Sequence, residues 1–258
     1  MTRKWTKFPH ADERFVYEGA ALAKSWPRLH RGDCEPLPKT ADAQAAWSAF
    51  HAGDFAVAVE AGRAAGGAGL NAAIKAQAIY ATYLEKKDAA RLALFEEAAQ
   101  WADVRRADAP RDANAHYLYA YALGRYSQKS SVAKALAQGY GGKIKEALTT
   151  ALALAPKHAD AHAAFGAYQA EVIDKVGALV GGLTYGAKKD SAIEHFETAR
   201  KLFPESAIER IEYANGLLLL FGKARIADAQ KFYEAAAKVV PADAMERLDV
   251  ELAKSELE

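Results

Sequence analysis

The stretch Ala192-Ile-Glu-His-Phe196-Glu-Thr-Ala199-Arg-Lys-Leu-Phe-Pro204-Glu-Ser206-Ala207 carries the signals for the end of one helix, a turn and the start of the next. Ala192, Phe196 and Ala199 recur at helical spacing and share one face. Pro204 cannot extend the helix, because it has no N–H and its ring clashes with the preceding turn. Ser206 then stands where a helix N-cap belongs. The phrase is repeated. Pro110-Arg-Asp-Ala, Pro156-Lys-His-Ala, Pro204-Glu-Ser-Ala and Pro241-Ala-Asp-Ala follow Ala-rich runs at intervals of 46, 48 and 37 residues, with Asp112 and Asp243 as the matching N-caps. A helical unit repeated at such a period predicts an all-α, right-handed solenoid of antiparallel helix pairs.

Outward from this stretch the same reading gives about five hairpins and a C-terminal capping helix. Ala41 to about Arg63 breaks at Gly53, and Leu70–Leu84 pairs with Asp88 to about Ala107. Residues 112–155, 158–203 and 206–240 are the longer units, and Asp243–Leu257 closes the array with Met245, Leu248 and Leu252 on one stripe and the other face wet. The other four prolines, Pro9, Pro27, Pro36 and Pro38, fall in a segment of different character. Residues 1–40 are therefore expected to form an N-terminal cap on a repeat domain of residues 41–258. Within the cap, Asp12–Trp26 reads as one amphipathic helix stopped by Pro27, and Met1–Lys7 as a solvated basic terminus.

The bulk properties exclude several classes. With 34 basic and 33 acidic residues mixed along 258 positions the net charge is +1, which offers no basic stripe for nucleic acid. A single cysteine, Cys34, precludes disulfides within the chain. No apolar run approaches the ~18 residues of a membrane helix, and the start lacks the apolar core of a secretory signal, so a cytoplasmic location without membrane contact is expected.

The spacing resembles the tetratricopeptide repeat (TPR) family, whose units read W-x2-L-G-x2-Y, then A-x3-F-x2-A, then P. Ala192-x3-Phe196-x2-Ala199-x4-Pro204 and Ala229-x3-Tyr233-x2-Ala236-x4-Pro241 keep every interval of the second helix. His116-x2-Tyr119-Ala120, His162-x2-Phe165-Gly166 and Arg210-x2-Tyr213-Ala214 are weaker matches to the first. A small residue at 120, 166 and 214 fits a close crossing of the two helices. The extra dozen or so residues in units three and four carry a repeated elbow, Tyr140-Gly141-Gly142-Lys143 and Tyr185-Gly186-Ala187-Lys188. This longer unit, through Ala161-His162, Gly166, Tyr168 and Glu171-Val172, is similar to the regulator-of-microtubule-dynamics family and its bacterial relatives. Eukaryotic members are membrane-anchored; no such anchor is seen here, so their cellular role is not expected to carry over.

In TPR proteins, positions 2, 5, 9, 12 and 13 of each first helix line the concave groove. The resemblance thus implies Asn114, Tyr117, Tyr121, Gly124 and Arg125, then Asp160, Ala163, Ala167, Ala170 and Glu171, then Ile208, Ile211, Asn215, Leu218 and Leu219. Tyr117, Tyr121 and Arg125 recur at i, i+4 and i+8 and supply the large rigid contacts of a binding hot spot; they could equally pack between helices. The groove shows no lysine for the clamp that grips a terminal carboxylate in chaperone-binding members, and Arg125 and Glu171 stand at equivalent positions where they could pair. The function expected is a protein-interaction scaffold holding a protein or peptide segment against Asn114, Tyr117, Tyr121, Arg125, Ala163, Ala167, Glu171, Ile211, Asn215 and Leu218. The alternative is a carrier of a small apolar ligand, its pocket closed by the Gly-rich insert Val176-Gly-Ala-Leu-Val-Gly-Gly-Leu-Thr-Tyr-Gly186. Self-association is left open.

No constellation supports catalysis or a cofactor. His116, His158 and His162 with Glu171 form no closed metal-ligand set, since His158 precedes its helix and positions 116 and 162 pack inside hairpins. Cys34 near His30 is a lone thiol in a proline-rich loop. Tyr140-Gly-Gly-Lys143 lacks the strand and spacing of a phosphate loop. No enzyme, no cofactor and no metal are expected.

Overall fold

The computed structural model describes residues 5–130 and 132–258, and among them every regular element is helical. Five antiparallel pairs succeed one another along the chain. They are α2 (Ala41–Ala52) with α3 (Phe55–Ala65), α4 (Gly69–Tyr83) with α5 (Asp88–Asp108), α6 (Ala113–Lys129) with α8 (Tyr140–Leu154), α9 (Ala159–Val176) with α11 (Lys189–Leu202), and α12 (Ala207–Phe221) with α13 (Ile226–Ala236). The two long units place their extra residues between paired helices, as α7 (Val132–Ala137) and as α10 (Ala178–Val180) with the π turn Gly181–Tyr185. Helix α1 (Gly19–Leu29) precedes the array and α14 (Ala244–Ser255) ends it.

The helix starts follow from short polar side chains. Thr40, Asp112, Ser206 and Asp243 each accept a backbone N–H of the first turn, and His158 does the same through Nδ1 to the Ala161 N–H at 3.1 Å. A second repeat-level device explains positions 116, 162 and 210. His116 Nε2 and His162 Nε2 lie 3.1 Å from the carbonyls of Pro110 and Pro156, and Arg210 donates to that of Pro204. Each side chain reaches back six residues and satisfies a carbonyl that the broken helix leaves without a partner.

The core is aligned by aromatic side chains meeting small ones. A Cβ at Gly166 would stand 2.9 Å from three ring atoms of Phe196, and one at Gly216 would stand 2.3 Å away. The fully buried Phe196 ring thus fills the seam between α9 and α12, which explains the small residue at 166.

The N-terminal segment departs from the sequence expectation. Asp12–Trp26 is not one helix: a single 3-10 turn at Glu13–Phe15 is followed by extended chain, and α1 then runs through Pro27 to Leu29. Proline sits in the last turn, where the loss of one N–H donor breaks little of the helix. The break frees Tyr17 to donate to the Ala242 carbonyl at 2.7 Å. Residues 1–4 of the supposedly solvated start lie outside the described residues; beyond them, Trp5 packs on Tyr80 with ring centroids 4.3 Å apart. Phe8 covers Gly53, the left-handed C-cap of α2 (φ 87°), where any Cβ would strike its ring.

Helix α14 caps α12 and α13 and also touches α2, so the last helix meets the first pair. Its expected wet face is largely covered, because Glu246 and Asp249 turn inward as well as Leu248 and Val250. Arg28 grips Glu246 with two hydrogen bonds of 2.5 and 2.9 Å, and His51 Nδ1 lies 2.7 Å from Asp243 Oδ2. No described helix is long and apolar enough to cross a membrane.

Candidate concave binding site

The first helices α4, α6, α9 and α12, with α14, surround a cavity of about 180 Å³. On the same measure one water needs only ~10–15 Å³. Tyr117, Tyr121, Gly124, Arg125, Ala163, Ala167 and Glu171 all line it, joined by Asp160. Tyr117 is buried and packs on the His158 ring at 4.6 Å, so it is a wall of the core as much as of the cavity. Tyr121 is half-buried, and its hydroxyl meets Thr82 Oγ1 at 3.1 Å.

Asn114 does not reach the cavity, because the chain itself covers it. Its Nδ2 donates to the Asp33 carbonyl at 2.8 Å and its Oδ1 lies 3.0 Å from His158 Nε2. With Nδ1 of His158 accepting at the cap, Nε2 carries the proton and donates. Residues 28–35 run past one end of the first helices, where the Asp160 N–H meets the Gly32 carbonyl at 3.1 Å and Arg31 bonds Glu205 at 2.9 Å.

Helix α12 presents only part of the face its spacing implied. Ile208, Glu209 and Glu212 line the cavity, while Ile211 is buried among Ala207, Ala214 and Tyr233, with Leu218 against the same cluster. Asn215 Oδ1 accepts the Tyr233 hydroxyl. Arg125 pairs with Glu212 at 2.6 Å rather than with Glu171, which instead holds Lys175 at 2.9 Å. The groove does contain lysines: Lys175 near the end of α9, and Lys75 from α4, in the loosely matched part of the chain. The signal for Lys75 was present, since it is the one charged residue in the apolar helix Gly69–Tyr83. Glu209 had no comparable signal.

The electrostatics of the cavity are dominated by burial. Lys75 Nζ lies 2.6 Å from Asp33 and 4.0 Å from Asp160. Burial opposes the charge on both members of the close pair, yet Lys75 and His30 hold Asp33 well below the usual carboxylate range, and Asp33 raises Lys75. Burial pushes Asp160 up to about 6, reinforced by the charge of Asp33, and Glu209 well above the ordinary glutamate value, reinforced by the charge of Asp160. Asp249, which accepts the Tyr83 hydroxyl, is also raised by burial. Glu209 is fully buried; its carboxyl oxygens accept from no N–H or hydroxyl among the described residues, and its polar neighbour is the Asp160 carboxyl.

This arrangement has a thermodynamic sign. A carboxyl raised in the folded state leaves the unfolded chain freer to ionise, so its contribution to stability falls as pH rises above its ordinary value of 4.5. Glu209→Gln should therefore raise stability at pH 7.5, because the amide has no ionisation to favour the unfolded chain. The gain should vanish near pH 4. Melting curves at the two pH values test this, and an equal gain at both would show that ionisation is not its origin.

The remaining candidates are placed as follows. His162 Nδ1 faces His195 Nδ1 at 2.9 Å, and burial lowers both histidines, His195 to about 4. No three His, Cys, Asp or Glu side chains among the described residues converge as a metal-binding group. Cys34 is exposed at a left-handed backbone position (φ 53°), and burial of its surroundings pushes the thiol up to about 11. Its Sγ lies against the Lys157 carbonyl, while His30 turns away to Asp33 and to His51 Nε2 at 3.2 Å. Gly141 of the first elbow packs under the Tyr185 ring of the second.

Comparisons with known proteins agree with this architecture. The family model described as regulator of microtubule dynamics protein 1-3 matches residues 72–255. The crystal structure of a thermophilic TPR protein from Thermus thermophilus is similar with a TM-score of 0.57 at 16% identity, covering 83% of this chain and 97% of that one. No curated protein matches the chain.

Proposed function

Since the chain belongs to the regulator of microtubule dynamics protein 1-3 family, we propose that it is a non-enzymatic interaction scaffold whose concave cavity anchors a segment of a protein partner. The supporting observation is the cavity, into which a helical-repeat array directs Tyr121 and Arg125 beside the small side chains of Ala163 and Ala167. The Arg125 guanidinium lies over the Tyr121 ring at 5.2 Å and is fixed by Glu212, so a flat, ordered contact face is ready before a partner arrives. In this reading residues 1–40 are an extension that occupies one end of the groove and leaves the other end open to the partner.

Capture from cell extract followed by mass spectrometry tests the reading. Tyr121→Ala, chosen because Tyr121 is less buried than Tyr117, should cost about 2 kcal/mol or more of affinity. Glu194→Ala with Lys201→Ala, both exposed on the second helix α11, should leave capture unchanged. If the outer pair weakens capture and Tyr121→Ala does not, the concave assignment fails.

One observation favours the second reading, a small apolar ligand. Val176 and Tyr185 of the Gly-rich insert also line the cavity. Native mass spectrometry of the purified chain separates the two: a small bound mass retained without protein partners supports the carrier.

A further inference from the structure

The cavity has a polar end whose charges do not balance. Asp160, Glu209 and Asp249 line that end from α9, α12 and α14. The cations lining the cavity are already committed: Lys75 to Asp33 at 2.6 Å, Arg125 to Glu212 at 2.6 Å, and Lys175 to Glu171 at 2.9 Å. Glu209 is fully buried, and its oxygens accept from no N–H or hydroxyl among the described residues, the Asp160 carboxyl being the polar group beside it. Buried polar groups are almost always partnered, so a carboxyl left open toward a cavity marks the place of a missing donor. An anion would find acceptors there and no free cation among the described residues to pair with. A neutral apolar molecule would strip water from them and return no hydrogen bond.

We propose that this end of the cavity binds an ammonium or guanidinium group carried on an apolar stem. The cation donates to Glu209 and Asp160, and the stem lies along Tyr117, Tyr121, Ala163 and Ile208. The tyrosine rings suit such a ligand twice over, as apolar walls and as π faces toward positive charge. The group could be the side chain of a lysine or arginine in a partner segment, or the head of a free aliphatic amine. The inference rests on the concave-face reading and adds the chemistry of what enters it.

Calorimetric titration of the full chain with hexylamine and with hexan-1-ol tests the charge. Hexylammonium should bind about tenfold or more tightly than the alcohol, since a buried charge pair loses at least that when one partner is neutral. Glu209→Gln should erase the preference and raise the melting temperature; Asp160→Asn should weaken the amine in the same sense. A merely structural Glu209 would give a lower melting temperature and an unaltered preference. The peptide acetyl-Ala-Leu-Lys-Leu-Ala-amide and its norleucine counterpart, titrated in parallel, identify the source: a lysine peptide that binds more tightly than hexylamine assigns the cation to a partner segment, and the reverse assigns it to a free amine. The proposal is overturned if neither cation exceeds its neutral counterpart, or if Glu209→Gln keeps the preference. Should Tyr121→Ala abolish partner capture while Glu209→Gln leaves that preference intact, the concave-face reading stands and the cation site falls.

Discussion

Lys75→Met is expected to cost about 3–5 kcal/mol of stability, the range found when one member of a buried ion pair is removed. Lys75 and Asp33 are both buried, and the ammonium also lies 5.7 Å from the Phe50 ring centroid. Methionine fills much the same volume, so the loss isolates the charge. What remains is the Asp33 carboxylate, enclosed with His30 and the Glu35 N–H as its other partners. The double variant Lys75→Met/Asp33→Asn should recover a large part of the loss, because it removes the stranded charge. The pH dependence is fixed by sign. Asp33 is held below its ordinary value of 3.8, so its stabilisation is present above that value and disappears as pH falls below it. The gap between variant and parent in urea denaturation should be steady from about pH 5 to pH 8 and shrink in stronger acid. A loss below about 1 kcal/mol would mean that the pair is solvated like a surface salt bridge.

Phe196→Ala is expected to cost a similar ~3–5 kcal/mol, through lost burial and the cavity left behind. The reverse error, Gly166→Leu, overpacks the same seam and should cost about 1–3 kcal/mol. The two are coupled. With the ring gone, the atoms that a larger residue at 166 would strike are absent, so the double variant should lose less than the sum of the single losses. Strict additivity in chemical denaturation would place residues 166 and 196 out of contact and contradict the crossing.

The legible part of this chain was the local part. Pro204 and Ser206 announce a helix boundary through chemistry confined to a few residues, and Ala192, Phe196 and Ala199 announce a packed face through a period of one turn. Such signals fixed the five pairs and the small residue at 166. The candidate site was legible along α6 and α9, where Tyr117, Tyr121, Arg125, Ala163 and Ala167 line the cavity. It was only partly legible on α12, where Ile208 lines the cavity as its spacing implied, but a rotation of the helix brings Glu209 and Glu212 there in place of Ile211 and Leu218. That rotation is set by packing against α13 and α14, which no spacing within α12 reports. The partner of Arg125 lies 87 residues away and that of Tyr83 lies 166 away, so neither pair leaves a periodic trace. Pro27 misled for a simpler reason: so near the end of α1 a proline forfeits one hydrogen bond, and the helix runs through it to Leu29.

Contact between α14 and α2 changes the mechanics of the array. In an open row of repeats each unit touches only its neighbours, so an end can peel away while the middle endures. Here the hydrogen bonds from Tyr17 to Ala242, from Arg28 to Glu246 and between His51 and Asp243 fasten the tail of the chain to its head. Fraying from either terminus must first break that clasp, which lies far apart in sequence and close in space. The molecule should consequently behave less like a spring of stacked coils and more like a buckled belt, yielding in one cooperative event and only after the buckle opens.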